Sequence, residues 1–423
     1  MKIFDWIKGL FHAREPTDFY QYSAPFLFGK SISGKNVNEI SAMQNSAVYA
    51  CVRILAESIA SLPLHVYAYR DGGGKERVPN HPLYYLLHDA PNSEMTSFNF
   101  RESSMAHLLL WGNAYAQIVR DHAGRILSIY PLQPNRMTVE RDDTGEIVYW
   151  YTMTAGENPN VTKTGQIKLH KRDILHIPAL GFNGVIGFSP IAMARNAIGV
   201  SIACEEFGAK FFENDARPSG ILMHPGTIRQ PEKLRDSWQS AFSGVNHGKT
   251  AVLEEGVKYE TISIPPDDAQ FLDTRKFQLT EIARIFRVPP HMLADLERAT
   301  FSNVTQLSLE FVMYTLTPWI VRWEQALNKS LLLPSERGKF FVKFNVDGLL
   351  RGDYETRMRG YSTAIQNGII SVNEVRELED MNPLTDAEGG NLHLCNGNLA
   401  KLKDAGAAYA QKKGGNENDE IRP

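Results

Sequence analysis

The chain has 423 residues, 43% of them hydrophobic and 22% charged, which is room for about three ordinary domains and too apolar for a disordered or fibrous protein. With 45 Lys+Arg against 48 Asp+Glu the net charge is −3, which disfavours a protein that grips nucleic acid by neutralising its phosphates. Cys51, Cys204 and Cys395 lie far apart with no CxxC or Cys/His spacing, so a disulfide scaffold is excluded, a structural zinc is disfavoured, and reduced structural thiols are expected.

No window reaches the roughly 18 apolar residues needed to span a bilayer, and the apolar start is broken by Asp5 and Lys8, so a soluble protein without a secretory signal is expected. Ile3, Phe4, Ile7, Leu10 and Phe11 have helical spacing, the pattern of a short amphipathic segment that lies on a membrane or, more commonly, docks on its own domain or a neighbouring subunit. Thr17 to Ser41 has no period and reads as an extended arm, with the folded domain starting near Met43.

From the N-cap Asn45, apolar residues at Val48, Cys51, Val52, Leu55, Ile59 and Leu62 predict a helix that Pro63 stops. Leu64 to Arg70 alternates as a strand with His65 on its exposed face, and the glycines after Asp71 turn a loose hairpin. A short helix over Leu83 to His88 and a longer one over Ser97 to Trp111, stopped by Gly112, come next. Strands are predicted at Ala114 to Asp121, Arg125 to Tyr130, Arg136 to Arg141, Glu146 to Thr152 and Asp173 to Ile177, completing an α+β domain.

Gly181, Gly184 and Gly187 form a hinge-like connection, and Ser189-Pro190 caps a helix that runs to about Asn214. That helix has two apolar rows, one through Ile191, Ala194, Ile198 and Ile202, the other through Met193, Ala197, Val200, Cys204, Phe207 and Phe211. An arc so wide must be covered on more than one side, with Gly199 and Gly208 allowing close approach. A small α+β insert follows, with strands at Ser219 to Met223, Thr250 to Glu254 and Val257 to Ile264 and a helix over Pro231 to Phe242. Asp268 to Phe286 returns as a second helix that Val288-Pro289-Pro290 ends. Beyond the polar stretch Met292 to Asn303, a helix from Val304 to Leu333 should kink at Pro318. Phe340 to Val346 is a strand, Asp353 to Asn367 a helix, Ser371 and Glu374 a capping box, and the polar chain from Asn396 a disordered tail.

Motifs for chemistry are broken. Ser243 to Thr250 resembles a phosphate loop, but its first glycine is displaced and no helix follows, so the cradle of N–H groups is lost and a hairpin turn is the simpler reading. Gly187 to Ile191 lacks the last glycine of a nucleophile elbow, and Ser189 reads better as a helix cap. The triple glycine is not the dinucleotide fingerprint, His170 and His176 share a face only if no turn divides them, and the Asp142-Asp143 and Asp267-Asp268 pairs suit a turn and a helix start. No catalytic residue, metal ligand or cofactor is assigned.

The segments SAVYACVRILAESIASLPLHVY, HPLYYLLHDAPN, WGNAYAQIVRD, DILHI, GFSPI, LDTRKFQLTEIARIFRVPPHML, TFSNVT and SVNEVRELEDMNPL, in that order, resemble the portal proteins of tailed bacteriophages, of the HK97 type. The resemblance implies an α+β portal fold with wing, helical stem, α/β clip and small helical crown. It assigns residues 1–42 to an arm, 43–188 to the wing, 189–216 and 267–290 to the stem helices and 217–266 to the clip. It assigns 291–303 to a tunnel loop, 304–350 to a kinked wing helix and strand, 351–395 to the crown and 396–423 to the tail.

It further implies a dodecameric ring at one capsid vertex, through which double-stranded DNA is packaged by the terminase large subunit and later ejected. Major capsid protein and a head–tail adaptor would be partners, the virion and before it the host cytoplasm the location, and neither membrane nor enzyme activity is implied. On this resemblance Glu297, Arg298, Thr300, Ser302 and Asn303 are the DNA-proximal loop residues, although Asn303 also suits an N-cap. His247 and Lys249 would meet partners at the clip, and Ile198, Ile202, Cys204, Phe207 and Phe211 would form the stem subunit interface. A P-loop-like, nucleotide-driven DNA enzyme and a monomeric structural adaptor are the alternatives.

Overall fold

The computed structural model describes residues 30–71, 73–154, 165–213, 220–227, 230–242, 256–261, 268–294, 304–346, 354–379 and 381–394. The chain divides into two units, 1–346 and 347–423.

The first unit opens with α1 (Glu39–Met43), begun by a capping box between Asn38 and Ser41, inside the stretch predicted to be extended. Asn45 then accepts a bond from the Val48 amide to start α2 (Ser46–Ser61), which packs on α4 (Ser97–Trp111). Arg101 of α4 is buried and donates to the Leu62 and Ser97 carbonyls, at 2.6 and 3.2 Å, placing a cation at the C-terminal end of α2.

β1 (Leu64–Tyr69) is the centre of a three-stranded antiparallel sheet, between β2 (Lys75–Arg77) and β11 (Phe340–Phe344). His65 is not exposed as its alternation predicts. It is 5% exposed, because α3 (Pro82–His88) lies over the face of β1 that the pattern leaves to solvent, and His65 stacks there with Tyr84 and His88.

Two further three-stranded antiparallel sheets follow, one ordering β4 (Ile126–Leu132), β3 (Asn113–Arg120) and β8 (Ile174–Pro178), the other β5 (Met137–Arg141), β6 (Ile147–Met153) and β7 (Gly165–His170). They share a core built around Tyr115, Leu132, Met137, Tyr149, Tyr151 and Leu169. β7 is an addition to the sequence reading, although Ile167 and Leu169 alternate with Gln166 and Lys168 as a half-buried strand should. A 3₁₀ turn over Lys171–Asp173 separates it from β8, so His170 and His176 lie on different strands.

The helix assigned by resemblance to the stem breaks once, at Ala194, into α5 (Pro190–Met193) and α6 (Arg195–Glu213). β9 (Gly220–Met223) pairs antiparallel with β10 (Lys258–Thr261), and α7 (Pro231–Phe242) lies between them in sequence. α8 (Asp268–Phe286) has its predicted limits and packs on α6 and α2.

The helix expected to kink at Pro318 is instead α9 (Val304–Glu310), one π-helical turn over Phe311–Leu316, and α10 (Thr317–Leu331) with Pro318 in its first turn. Proline has no N–H to offer, and the wide turn before it reassigns the orphaned bonds: the Thr317 N–H and hydroxyl both reach the Val312 carbonyl. In the second unit, α11 (Tyr354–Gln366) and α12 (Val372–Leu378) are joined by an ion pair from Arg357 to Glu379 at 2.8 Å, and Ser371 with Glu374 forms the expected capping box.

Candidate functional site: the stem and its anchor

The segment expected to be the stem is fixed to the sheets at one buried amide. The Asn113 carbonyl oxygen accepts from the Gly187 N–H at 2.9 Å, while its NH₂ donates to the Gly187 carbonyl at 2.8 Å, and this pair of bonds fixes which way the amide points. The same oxygen lies 3.1 Å from His176 Nε2, so Nε2 carries the proton and Nδ1 accepts from the Tyr149 hydroxyl at 3.2 Å. Burial pushes the His176 pKa down to about 3, which keeps the ring neutral, and it stacks on Tyr115 with centroids 4.4 Å apart.

Backbones cross closely at this anchor. A Cβ on Gly112 would stand 2.0 Å from the Phe188 carbonyl oxygen, and one on Gly187 would stand 2.1 Å from the Gly112 oxygen. The Ala179 N–H donates to Gly112 and the Phe188 N–H to Leu180, both at 2.8 Å. Gly181 to Gly187 is therefore a pinned crossing rather than the hinge expected from its glycines. Ser189 completes it, donating to the Leu110 carbonyl at 2.6 Å and accepting from the Ala192 N–H at 3.1 Å, which makes it the predicted cap and ties the stem to α4.

The two apolar rows of the stem meet different fates. Ile191, Ala194 and Ile198 are buried, as are Ile282, Ala283 and Phe286 of α8. The other row faces outward: Met193 is 60% exposed and Phe207 50%, beside Val200, with Phe277 (56%) and Ile285 on α8. Gly199 receives the chain's own arm, since a Cβ there would lie 2.3 Å from Ser31 Oγ.

Among the residues assigned from sequence to a subunit interface, Ile198 has no exposed surface and is used inside its own chain. Ile202 and Cys204 are half-buried and Phe207 is exposed. The side chain of Phe211, the loop residues Glu297, Arg298, Thr300, Ser302 and Asn303, and His247 and Lys249 with the phosphate-loop-like segment lie outside the described residues.

A cleft of about 1520 Å³ lies between the strands and α10 and has mixed charge. Asp121 is held by Arg125 and Asp142 by Thr144, each pulled below the usual carboxylate range by those bonds, so both are turn-closing carboxylates. Among the described residues no group of three His, Cys, Asp or Glu side chains could hold a metal, and no helix is long and apolar enough to cross a membrane.

The family model for phage portal protein matches residues 46–380, from the first residue of α2 into the second unit. The chain belongs to the phage portal protein family. This portal chain is 38% identical over 390 residues to the probable portal protein of Streptomyces phage phiC31, covering 89% of this chain and 82% of that one. It is 31% identical to the portal protein of Enterobacteria phage HK97, covering 91% and 89%. Among solved structures, a chain from the neck of an empty gene transfer agent particle superposes with a TM-score of 0.57 at 25% identity, covering 84% of this chain and 96% of that one. An HK97-family portal protein from Corynebacterium diphtheriae has the same fold, with a TM-score of 0.55 at 15% identity over 76% of this chain and 98% of that one.

Proposed function

We propose that the chain is one subunit of a dodecameric portal ring at a single capsid vertex, the channel for packaging and ejecting double-stranded DNA. The observation that carries this reading is the outward row of the stem, Met193, Val200, Phe207, Phe277 and Ile285, exposed on a chain that buries Ile191, Ala194 and Ile198 of the other row. A contiguous apolar face of this kind calls for a partner. Copies of the same chain around a closed axis supply one at every position. Support comes from the structural relatives, which are parts of particle necks computed with C6 and C12 symmetry.

On this reading residues 43–188 and 304–350 form the wing, which faces the major capsid protein, and 189–216 with 267–290 the stem. Residues 217–266 are the clip, where His247 and Lys249 meet the terminase large subunit and later the head–tail adaptor, and 351–395 are the crown. Residues 291–303 are the tunnel loop, with Glu297, Arg298, Thr300, Ser302 and Asn303 beside the DNA. A net charge of −3 suits a conduit, because each phosphate neutralised would add affinity that slows transit. The ring would assemble in the host cytoplasm and remain in the virion as a passage without chemistry of its own. Mass photometry and negative-stain images of purified protein test this: closed rings are expected, and monomers alone across a wide concentration range would overturn it.

A further inference from the structure

The groove beside the stem is edged by an exposed side chain on a turn that several bonds pin. The Ser31 N–H donates to the Lys35 carbonyl at 2.9 Å and the Gly34 N–H to the Ser31 carbonyl at 2.8 Å, closing a turn in which Gly34 takes a φ of 78°. The Ser31 and Ser33 hydroxyls are 2.8 Å apart. The turn is clamped to α6 by the Ile32 N–H, which donates to Asn196 Oδ1 at 3.1 Å, by an ion pair from Lys35 to Glu206, and by the seat that Gly199 leaves for Ser31.

At the tip of this turn Ile32 is 87% exposed. It shares the rim of a groove of about 510 Å³ with Met193, Val200, Gln278 and Ile285. The Gln278 side-chain oxygen is buried without a donor among the described residues. An aliphatic anchor beside an apolar recess, with an ion pair alongside, is the anatomy of an interface centre, and a turn already fixed loses little entropy on binding.

We propose that the Ile32 turn and this groove are where one copy of the chain keys into the next. The proposal rests on the ring reading. It follows from the patch being continuous with the outward stem row, and from cyclic symmetry, in which one face of each copy meets a different face of its neighbour. The chain's own first 29 residues are the competing occupant, which a cross-link from position 32 separates from a second copy.

The experiment pairs Ile32→Asp with a photo-cross-linking amino acid at position 32 in the full chain. Because Ile32 is exposed, Ile32→Asp should keep the far-ultraviolet spectrum and monomer fold while lowering the fraction in rings at least tenfold by mass photometry. Leu127→Asp, at an exposed position on β4, should leave rings intact. The cross-linker should give a dimer-sized band and a ladder above it. Undiminished Ile32→Asp rings would overturn the proposal and leave the ring reading standing, as would cross-links only within one chain to residues 1–29. A wild-type chain that never assembles would overturn both.

Discussion

His107 shows how a single side chain sets a response of the whole chain to acid. It lies edge-on to Trp111 with its Nδ1 buried and without a partner among the described residues, and burial lowers its pKa to about 4. Burial does the same for His65, also to about 4, and for His176, to about 3. All three start from 6.5, so below that pH the unfolded chain takes up protons that the folded chain refuses. Their contribution is complete above pH 6.5 and is lost as the pH falls toward 4. Each such histidine adds about 1.4 kcal/mol per pH unit to the slope in that window. His107→Leu, which removes the unpaired nitrogen, should flatten the slope by about that amount in urea unfolding followed from pH 6.5 to 4.5; an unchanged slope would show that His107 does not titrate in this range.

At the scale of elements, the exit of α8 is under local strain. Arg287 has a φ of 57°, and its neighbour's amide, Val288 N–H, reaches back to the Ala283 carbonyl at 2.9 Å, the pattern that usually puts glycine at this position. The Arg287 carbonyl is held in turn by the Thr315 hydroxyl at 2.7 Å, so the stem exit and the π turn brace each other. A left-handed non-glycine residue costs about 1–2 kcal/mol, of which glycine's extra freedom in the unfolded chain gives back part. Arg287→Gly should therefore stabilise the protein by about 0.5–1 kcal/mol in thermal or denaturant unfolding, and a loss would mean that its exposed side chain makes a contribution of its own.

At the scale of the whole molecule, the proposed ring, in which neighbours cover the outward apolar row, would make folding and assembly one equilibrium. The melting temperature should then rise with protein concentration, on the order of 1–2 °C per tenfold, when followed by scanning calorimetry. A midpoint independent of concentration would mean that copies do not share that face. Relatives of this chain come from assembled necks, and such a dependence is the solution counterpart of that setting.

Local signals wrote themselves plainly in the sequence: the caps at Asn45, Ser189 and Ser371 follow from side chains reaching backbone groups a few residues away, the stop at Gly112 from a left-handed glycine, and α7 and α8 have the limits their patterns predict. The order of segments carried the family, because many short matches in one sequence constrain more than any single motif. What the chain alone left open were matters of company. Whether His65 faces solvent depended on where α3 lies, and whether Gly181 to Gly187 bends or locks depended on Asn113, some seventy residues earlier. Which apolar row faces outward depended on α8 and on an arm that fills the space beside Gly199. Periodicity tells how wide an apolar arc is; only packing between distant segments decides which part of it remains for a partner.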